Sequence, residues 1–503
     1  SNFENQFESF EIENQIDFGK WINENHQMRI GTNILSAPLF LIIIAFVIWS
    51  LSNFVLDFDG LYGQDAYEYL RYTNALHAFL SNGTNPGDYF WPLYYPVFGA
   101  ILGFVLKPAI SLQAISIFSF LITVKYLIKI IGLLYPKSKT ASLYILLFFF
   151  LSPIAFRLSL VVMSDMLTVA FIVLCYYNSL LYLKKETVLN LVLALLFGVS
   201  AVMTRYVAFV VLFPLGISVL FFIMKAKERL KHLPLLLLIA LLLILPHLIV
   251  RNQNSIAFLG HNWLKEWSVF NFFQSAFNAD DGLSHYFLPN ILYAFSAAFD
   301  PRYFFAGVFL IIPFFKVKNR AKFLWLFVSA FMLYGFFLAG IPYQNNRYLF
   351  LSFPILLVVL FPYFNWILEL IRNKKLKNSM ISLVVILQMI LCFLALKPML
   401  ERNSFERKVA TQIRPYQNNT LYSFDIDIAL QGRDLKFNYQ NLWTKKYNKF
   451  EENALVLFHP NKFESKWKGQ NLMLNWEFLK RNYNLKIISH FPDGWKLYKI
   501  TAK

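Results

Sequence analysis

Four short stretches of this chain place acids and arginines where they could take a proton from a hydroxyl and hold a phosphate. The first is GQDAYEYLRYTNAL, with Asp65, Glu68, Tyr69 and Tyr72. Read as a helix, it brings these four to one face, because residues three and four apart are neighbours. A carboxylate near a bilayer surface, walled by aromatic rings, has its pKa raised by desolvation or its charge fixed by an arginine. Either condition suits a general base. The plainer reading makes Asp65 the polar face or cap of an interfacial helix, and spacing alone does not separate the two. Ser164-Asp165, in RLSLVVMSDMLTV, opens a later apolar block. It is either an ordinary helix cap or, with Glu68, a source of a second acid facing the same cavity. Arg205 in MTRYVAF and Arg347 in IPYQNNRYLF each sit at the edge of apolar sequence. Arginines there either snorkel to headgroups or line a polar cavity. With Tyr343 close by, the two could clamp a phosphate bidentately. His247 and Arg251 close another apolar block and could join them.

These residues must be positioned by helices in lipid. The chain has 503 residues, 57% hydrophobic, 18% aromatic and only 15% charged, against about 25% charged in a soluble domain. The apolar residues come in blocks of roughly 17 to 25, the length that crosses the hydrocarbon core as a helix. The fold class is therefore a polytopic α-helical membrane protein. The net charge of +18 does not indicate nucleic acid, because much of the excess lies in short clusters between apolar blocks. Cys175 and Cys392 fall inside apolar blocks, so no disulfide is expected. The polar, acidic opening SNFENQFESFEIENQ carries no visible signal peptide.

Taken in order, residues 1–33 read as an amphipathic lead on the inner side. The first span is 34–56, followed by an acidic aromatic loop holding Asp65, Trp91, Tyr94 and Tyr95. The segment 94–108 is too short to cross and reads as a half-helix returning to the side it left. Further spans are expected at 110–134, 141–156, 165–183, 187–204, 206–224, 233–250, 299–315, 321–340, 347–364 and 379–396, about eleven in all. This choice gathers Lys137/Lys139, Lys184/Lys185, the KAKERLKH run at 225–232, Lys316 to Lys322 and Arg372 to Lys377 on one side. The positive-inside rule makes that side cytoplasmic. The membrane domain is then 34–399, with outer loops 57–108 and 251–298, the second expected to form short interfacial helices. The tail, 400–503, reads as a small α/β domain outside the membrane. Its strands are expected at 420–430, 454–458, 485–491 and 495–500, its helix at 472–483, and its turn at Asp493-Gly494.

Metal ligation has little support. There is no HExxH, no CxxC and no carboxylate cage; Asp280-Asp281 with His261 and His285 reads as a solvated loop. No cofactor is called for, and a divalent cation such as Mg or Mn is compatible with the pattern without being indicated by it.

In order, GQDAYEYLRYTNAL, FWPLYYPVFGAILG, MSDM, TRYVAFVVLFPL and NRYLFLSFPILL resemble the GT-C class of integral-membrane glycosyltransferases. The likeness is to the bacterial group that includes protein O-mannosyltransferases and lipid A aminoarabinose transferases. The resemblance covers most of 34–364 and implies a polyprenyl-phosphate-linked sugar donor, a glycan, lipid or protein hydroxyl acceptor, and inverting transfer at the outer face of a bacterial inner membrane. By it, Asp65 would deprotonate the acceptor, with Asp165 and Glu68 as further acids. Arg205, Arg347 and Tyr343 would hold the donor phosphate, and Tyr69, Trp91, Tyr94, Tyr95, His247 and Arg251 would line the substrate. Loop 251–298 would be the cover. Two departures stand out. Relatives acting on lipid A carry a Lys before paired prolines where this chain has Asp88-Tyr89-Phe90-Trp91-Pro92, and O-mannosyltransferases carry an Asp-Glu pair where it has Asp65-Ala66. A transporter or flippase of lipid-linked saccharides is the alternative. It would place ionisable residues at the midplane rather than gathering them at one face.

Overall fold

The computed structural model describes residues 38–251, 262–279, 282–305, 307–315, 321–464 and 467–503. The amphipathic lead 1–33 and the acidic pair at 280–281 lie outside them. Among the described residues, five helices are long and apolar enough to cross a membrane: Pro108–Leu134, Ser164–Lys185, Lys227–Val250, Phe353–Leu370 and Lys374–Tyr416. Four shorter apolar helices, Leu39–Val55, Val188–Thr204, Ala208–Met224 and Leu324–Ala339, stand beside them. The protein is a helical membrane protein, but the expected set of about eleven spans needs correction in several places.

The segment 299–315 is not a continuous helix. Asp300 accepts from the Arg302 backbone N–H at 2.9 Å and pairs with its guanidinium at 2.6 Å, which with Pro301 makes a turn. Helical structure resumes only as Gly307–Ile311 and a 3-10 turn at Ile312–Phe315. The span expected at 141–156 runs through a π turn at Leu146–Phe150 and then bends by 68° into Pro153–Leu160. The cause is local: Pro153 cannot donate to the preceding turn, and Ser152 caps the new helix through the Ala155 N–H. The span expected at 347–364 begins at Phe353; Arg347 sits before it on a separate short turn, Asn346–Leu349, capped by the Asn345 side chain. The half-helix is present as Tyr94–Leu102 and is followed directly by the Pro108–Leu134 helix.

The expected boundary at 399/400 falls inside one helix. Lys374–Ile413 is 40 residues long, with Pro398 in its interior, or about 60 Å at 1.5 Å per residue, so a membrane helix continues as a post into the tail domain. That domain holds a five-stranded sheet. With β1 at Thr420–Ser423, β2 at Asn438–Asn441, β3 at Leu455–Phe458, β4 at Tyr483–His490 and β5 at Lys496–Ala502, the order is β2-β1-β3-β5-β4. The β1 strand is parallel to β2 and β3, and β5 is antiparallel to β3 and β4. The strand expected over 420–430 is thus only its first third; the rest turns at Asp425 and becomes the helix Asp427–Gly432. The short polar strand β2 carried no apolar alternation to announce it. Loop 251–298 contains, besides short helices, an antiparallel ribbon of Ala276–Ala279 and Gly282–His285. It is tied to the helix Leu324–Ala339 and its end: Trp267 donates to the Phe337 carbonyl at 2.9 Å and Asn271 to that of Gly340 at 2.7 Å.

The segment 57–108 and the tail share one core. Tyr67, Tyr69, Tyr72 and Tyr95 belong to the same buried cluster as Phe405, Val409, Leu430 and Leu457. Polar bonds lock this junction. Arg433 reaches Asp59 at 2.9 Å and the Tyr67 hydroxyl at 3.1 Å, and that hydroxyl donates to the buried Glu406 at 2.5 Å. Asn403 donates to Asp59 at 2.6 Å. Burial is the main cause that pushes the Tyr67 phenol well up, so it remains a donor. Replacing Arg433 with Met keeps the bulk but leaves two acceptors short of a donor. The expected cost is about 2–3 kcal/mol of junction stability, seen as a lower melting temperature and faster proteolytic release of the tail. Unchanged cleavage and melting would show that apolar packing alone holds the two parts together.

Candidate active site

The candidate residues converge where four helix ends meet. Asp65 lies in the first turn of the helix Gly63–Asn82, and Asp165 in the first turn of Ser164–Lys185, where a helix dipole favours a negative charge. Arg205 is the residue after Val188–Thr204, with extended backbone (φ −157°, ψ 111°) that ends the helix there. Arg347 comes from the capped turn before Phe353–Leu370.

The four form an alternating chain of charge. Arg347 pairs with Asp65 at 2.7 Å and lies 3.3 Å from Asp165, and Arg205 donates to the other oxygen of Asp165. Asp165 is 1% exposed, whereas the Asp65 side chain is 32% exposed. Aromatic groups frame the chain. Arg205 lies over the Tyr348 ring at 5.6 Å, and the Tyr69 ring packs between Trp91 at 5.1 Å and Tyr95 at 5.0 Å. The Tyr69 hydroxyl shares a 2.7 Å hydrogen bond with Ser164, and burial pushes its phenol up, keeping it protonated. Tyr95 is anchored in turn on the Leu112 carbonyl at 3.0 Å and on Ser116 at 2.9 Å.

Some expectations are corrected. Glu68 does not join this group: it is turned outward, in a bidentate pair with Arg71 at 2.6 Å. At 100° per residue, Asp65 and Tyr69 share one face, and Glu68 falls to its edge. Asp165 does not face a cavity as a free second acid, because it is buried between two guanidiniums. Nor is it preceded by a side-chain cap, since the cap position is Met163. Tyr94 points elsewhere, donating to the Leu243 carbonyl at 2.6 Å. His247 packs edge-on against Tyr206 at 5.8 Å, beside Arg205 in sequence rather than against the acids. Tyr343 is one ring removed, 6.3 Å from Tyr348. The Arg251 side chain lies outside the described residues. Tyr348 was overlooked, although it directly follows Arg347. Among the described residues, no three His, Cys, Asp or Glu side chains converge in a way that could hold a metal ion.

The architecture has solved counterparts. The structure of ArnT from Cupriavidus metallidurans bound to undecaprenyl phosphate aligns with a TM-score of 0.57, covering 92% of this chain and 97% of that one at 12% identity. The apo structure of the same protein aligns with a TM-score of 0.53 over the same shares and at the same identity. The fold is GT-C. No family model and no curated protein matches the sequence, so the likeness lies in the architecture, end to end.

The two acids carry different loads, and stability will separate them. Asp165→Asn removes the buried partner of two arginines and is expected to cost about 3–5 kcal/mol. Asp65→Asn removes one partner at a half-open position and is expected to cost under about 1 kcal/mol. Melting curves of the two purified variants in one detergent test this, and equal shifts would contradict the assignment.

Proposed function

We propose that this chain is an inverting glycosyltransferase of the bacterial inner membrane. It moves a sugar from a polyprenyl-phosphate donor to a hydroxyl acceptor on the extracytoplasmic side. The observation that carries this reading is the Asp65–Arg347–Asp165–Arg205 chain, set in the fold of a transferase solved with undecaprenyl phosphate bound.

The chemistry divides along that chain. Asp65, the more exposed carboxylate, accepts the proton of the acceptor hydroxyl. The freed oxygen attacks the anomeric carbon from the face opposite the lipid phosphate, and the bond from that carbon to the phosphate oxygen breaks with its electron pair going to phosphate. Inversion follows from the single displacement. Arg205 and Arg347, held by Asp165, stabilise the charge that develops on the leaving phosphate, a contribution of several kcal/mol where water is excluded. An arriving phosphate offers Arg347 a third anion beside Asp65 and Asp165, which releases Asp65 from its ion pair to work as a base. Trp91, backed by the buried rings of Tyr69 and Tyr95, presents a ring face to the sugar, and the loop pinned to Leu324–Ala339 covers it.

Asp65→Asn should leave the protein folded, keep undecaprenyl-phosphate binding, and cut transfer from synthetic polyprenyl-phosphate sugars by about 100-fold or more. Unchanged turnover removes Asp65 from the mechanism. Arg205→Ala and Arg347→Ala should weaken donor binding more than acceptor binding; the reverse order would mean that the phosphate lies elsewhere.

A further inference from the structure

A second polar feature adjoins the Asp65 helix on its other side. An open cleft of about 300 Å³ lies between the start of that helix, the post helix and the tail domain, lined by Tyr62, Gln64, Tyr67, Arg402, Asp425 and Lys462. This volume is at the low end for small-molecule sites and suits a compact polar group rather than a lipid chain. We propose that the cleft is the acceptor subsite of the transferase proposed above and that it takes the hydroxyl-rich head of an uncharged sugar.

The charge arrangement selects the ligand class. Arg402 is already held by Glu406 at 2.6 Å and by the Asp425 carboxylate at 3.1 Å, and it also donates to the Asp425 carbonyl at 3.1 Å. Lys462 pairs with the same carboxylate at 2.7 Å. Two cations are thus matched by two carboxylates inside the cleft. A phosphate would have to displace one of those carboxylates, whereas a neutral hydroxyl can add to donors and acceptors still open. Lys462 has three N–H donors, and one meets Asp425. The Gln64 amide is exposed and can give and accept. Burial alone would raise Asp425, but Arg402 and Lys462 outweigh it and hold this carboxyl below its ordinary value. It therefore stays an acceptor at neutral pH.

The cleft also lies next to the proposed base. Gln64 and Tyr67, three apart, face the cleft, while Asp65 and Tyr69, four apart, face the arginines. Consecutive Cα atoms are about 3.8 Å apart, so the two sites share one helical turn. Gly63, just before them, has φ +74°, and a side chain there would meet nothing within 4 Å. Gly63 itself lines the cleft, so the start of the helix that carries Asp65 is left open on this side.

Saturation-transfer NMR on the full chain in nanodiscs tests this with methyl α-glucoside, methyl α-mannoside, lactose and glucose 1-phosphate as probes. At least one neutral sugar should bind saturably, and at least about fivefold more weakly in Lys462→Met and in Gln64→Ala, the loss of about one hydrogen bond. Both positions are exposed, and melting curves will confirm that the variants fold. Binding should persist in Asp65→Asn, so the cleft can fail while the catalytic reading stands, and the reverse. No saturable neutral sugar, preference for glucose 1-phosphate, or undiminished binding in both variants would overturn the proposal.

Discussion

Three largely buried charges and a fourth left half open, all at one place, organise this molecule. The idealised cost of moving a single such ion into a medium of low dielectric is of order 20 kcal/mol, and several kcal/mol survive in real proteins. Asp65, Arg347, Asp165 and Arg205 offset that cost only because they alternate in sign, each inner member touching two neighbours of opposite charge. The geometry admits no slack. It requires two helix starts, a helix end and a capped turn to reach the same depth, and the surrounding chain is broken where it must be to allow this. Arg205 interrupts what would otherwise be one long apolar helix. The short turn at Asn346–Leu349 delays the next span until Phe353.

The segment 57–108 and the tail domain serve the same constraint from the other side of the site. A helix carrying an exposed carboxylate needs a fixed axis if that carboxylate is to meet an arginine at hydrogen-bond distance. The axis is set by tyrosines on several faces: Tyr69 against Trp91 and Tyr95, Tyr72 stacked on Tyr89 at 3.9 Å, and Tyr67 bound by Glu406 and Arg433. The last contact comes from the tail domain, more than three hundred residues away in sequence. The tail is therefore part of the scaffold of the site, and the continuous helix from Lys374 to Ile413 joins it to the membrane helices without an intervening loop.

Much of this was legible in the residues, and what was not has physical reasons. The membrane class, the short half-helix after the acidic loop, three of the tail strands and the tail helix followed from apolar block length and alternation. Asp65, Arg205 and Arg347 stood out because charge at the edge of apolar sequence is costly and so is seldom idle, and Tyr69 because it lies four residues on from Asp65 on the same helix face. Pattern could not reveal tertiary pairing. Nothing local to GQDAYEYLRY shows that Glu68 will be claimed by Arg71, or that Tyr67 will be claimed by Glu406. Pro153 and Asp300-Pro301-Arg302 fall inside apolar runs, so periodicity read straight through bends that a missing donor and a side-chain turn impose. The strand β2 is polar and half exposed, and it owes its form to pairing with β1 rather than to its own composition.

The contrast between Asp65 and Asp165 shows where function separates from pattern. Both open a helix, both lie next to small or polar residues, and both face Arg347. A base must be able to give up its counter-ion and meet a substrate. Asp165, buried and held by two guanidiniums, can do neither without stranding two positive charges in low dielectric. Asp65 has one arginine, and its other side is open. Releasing that arginine to a phosphate leaves Asp65 partly solvated rather than isolated, and leaves Arg347 still matched by Asp165. The number of partners and the degree of exposure, rather than residue type or spacing, therefore separate the two: in the proposed reaction, Asp165 holds the arginines in place and Asp65 takes the proton.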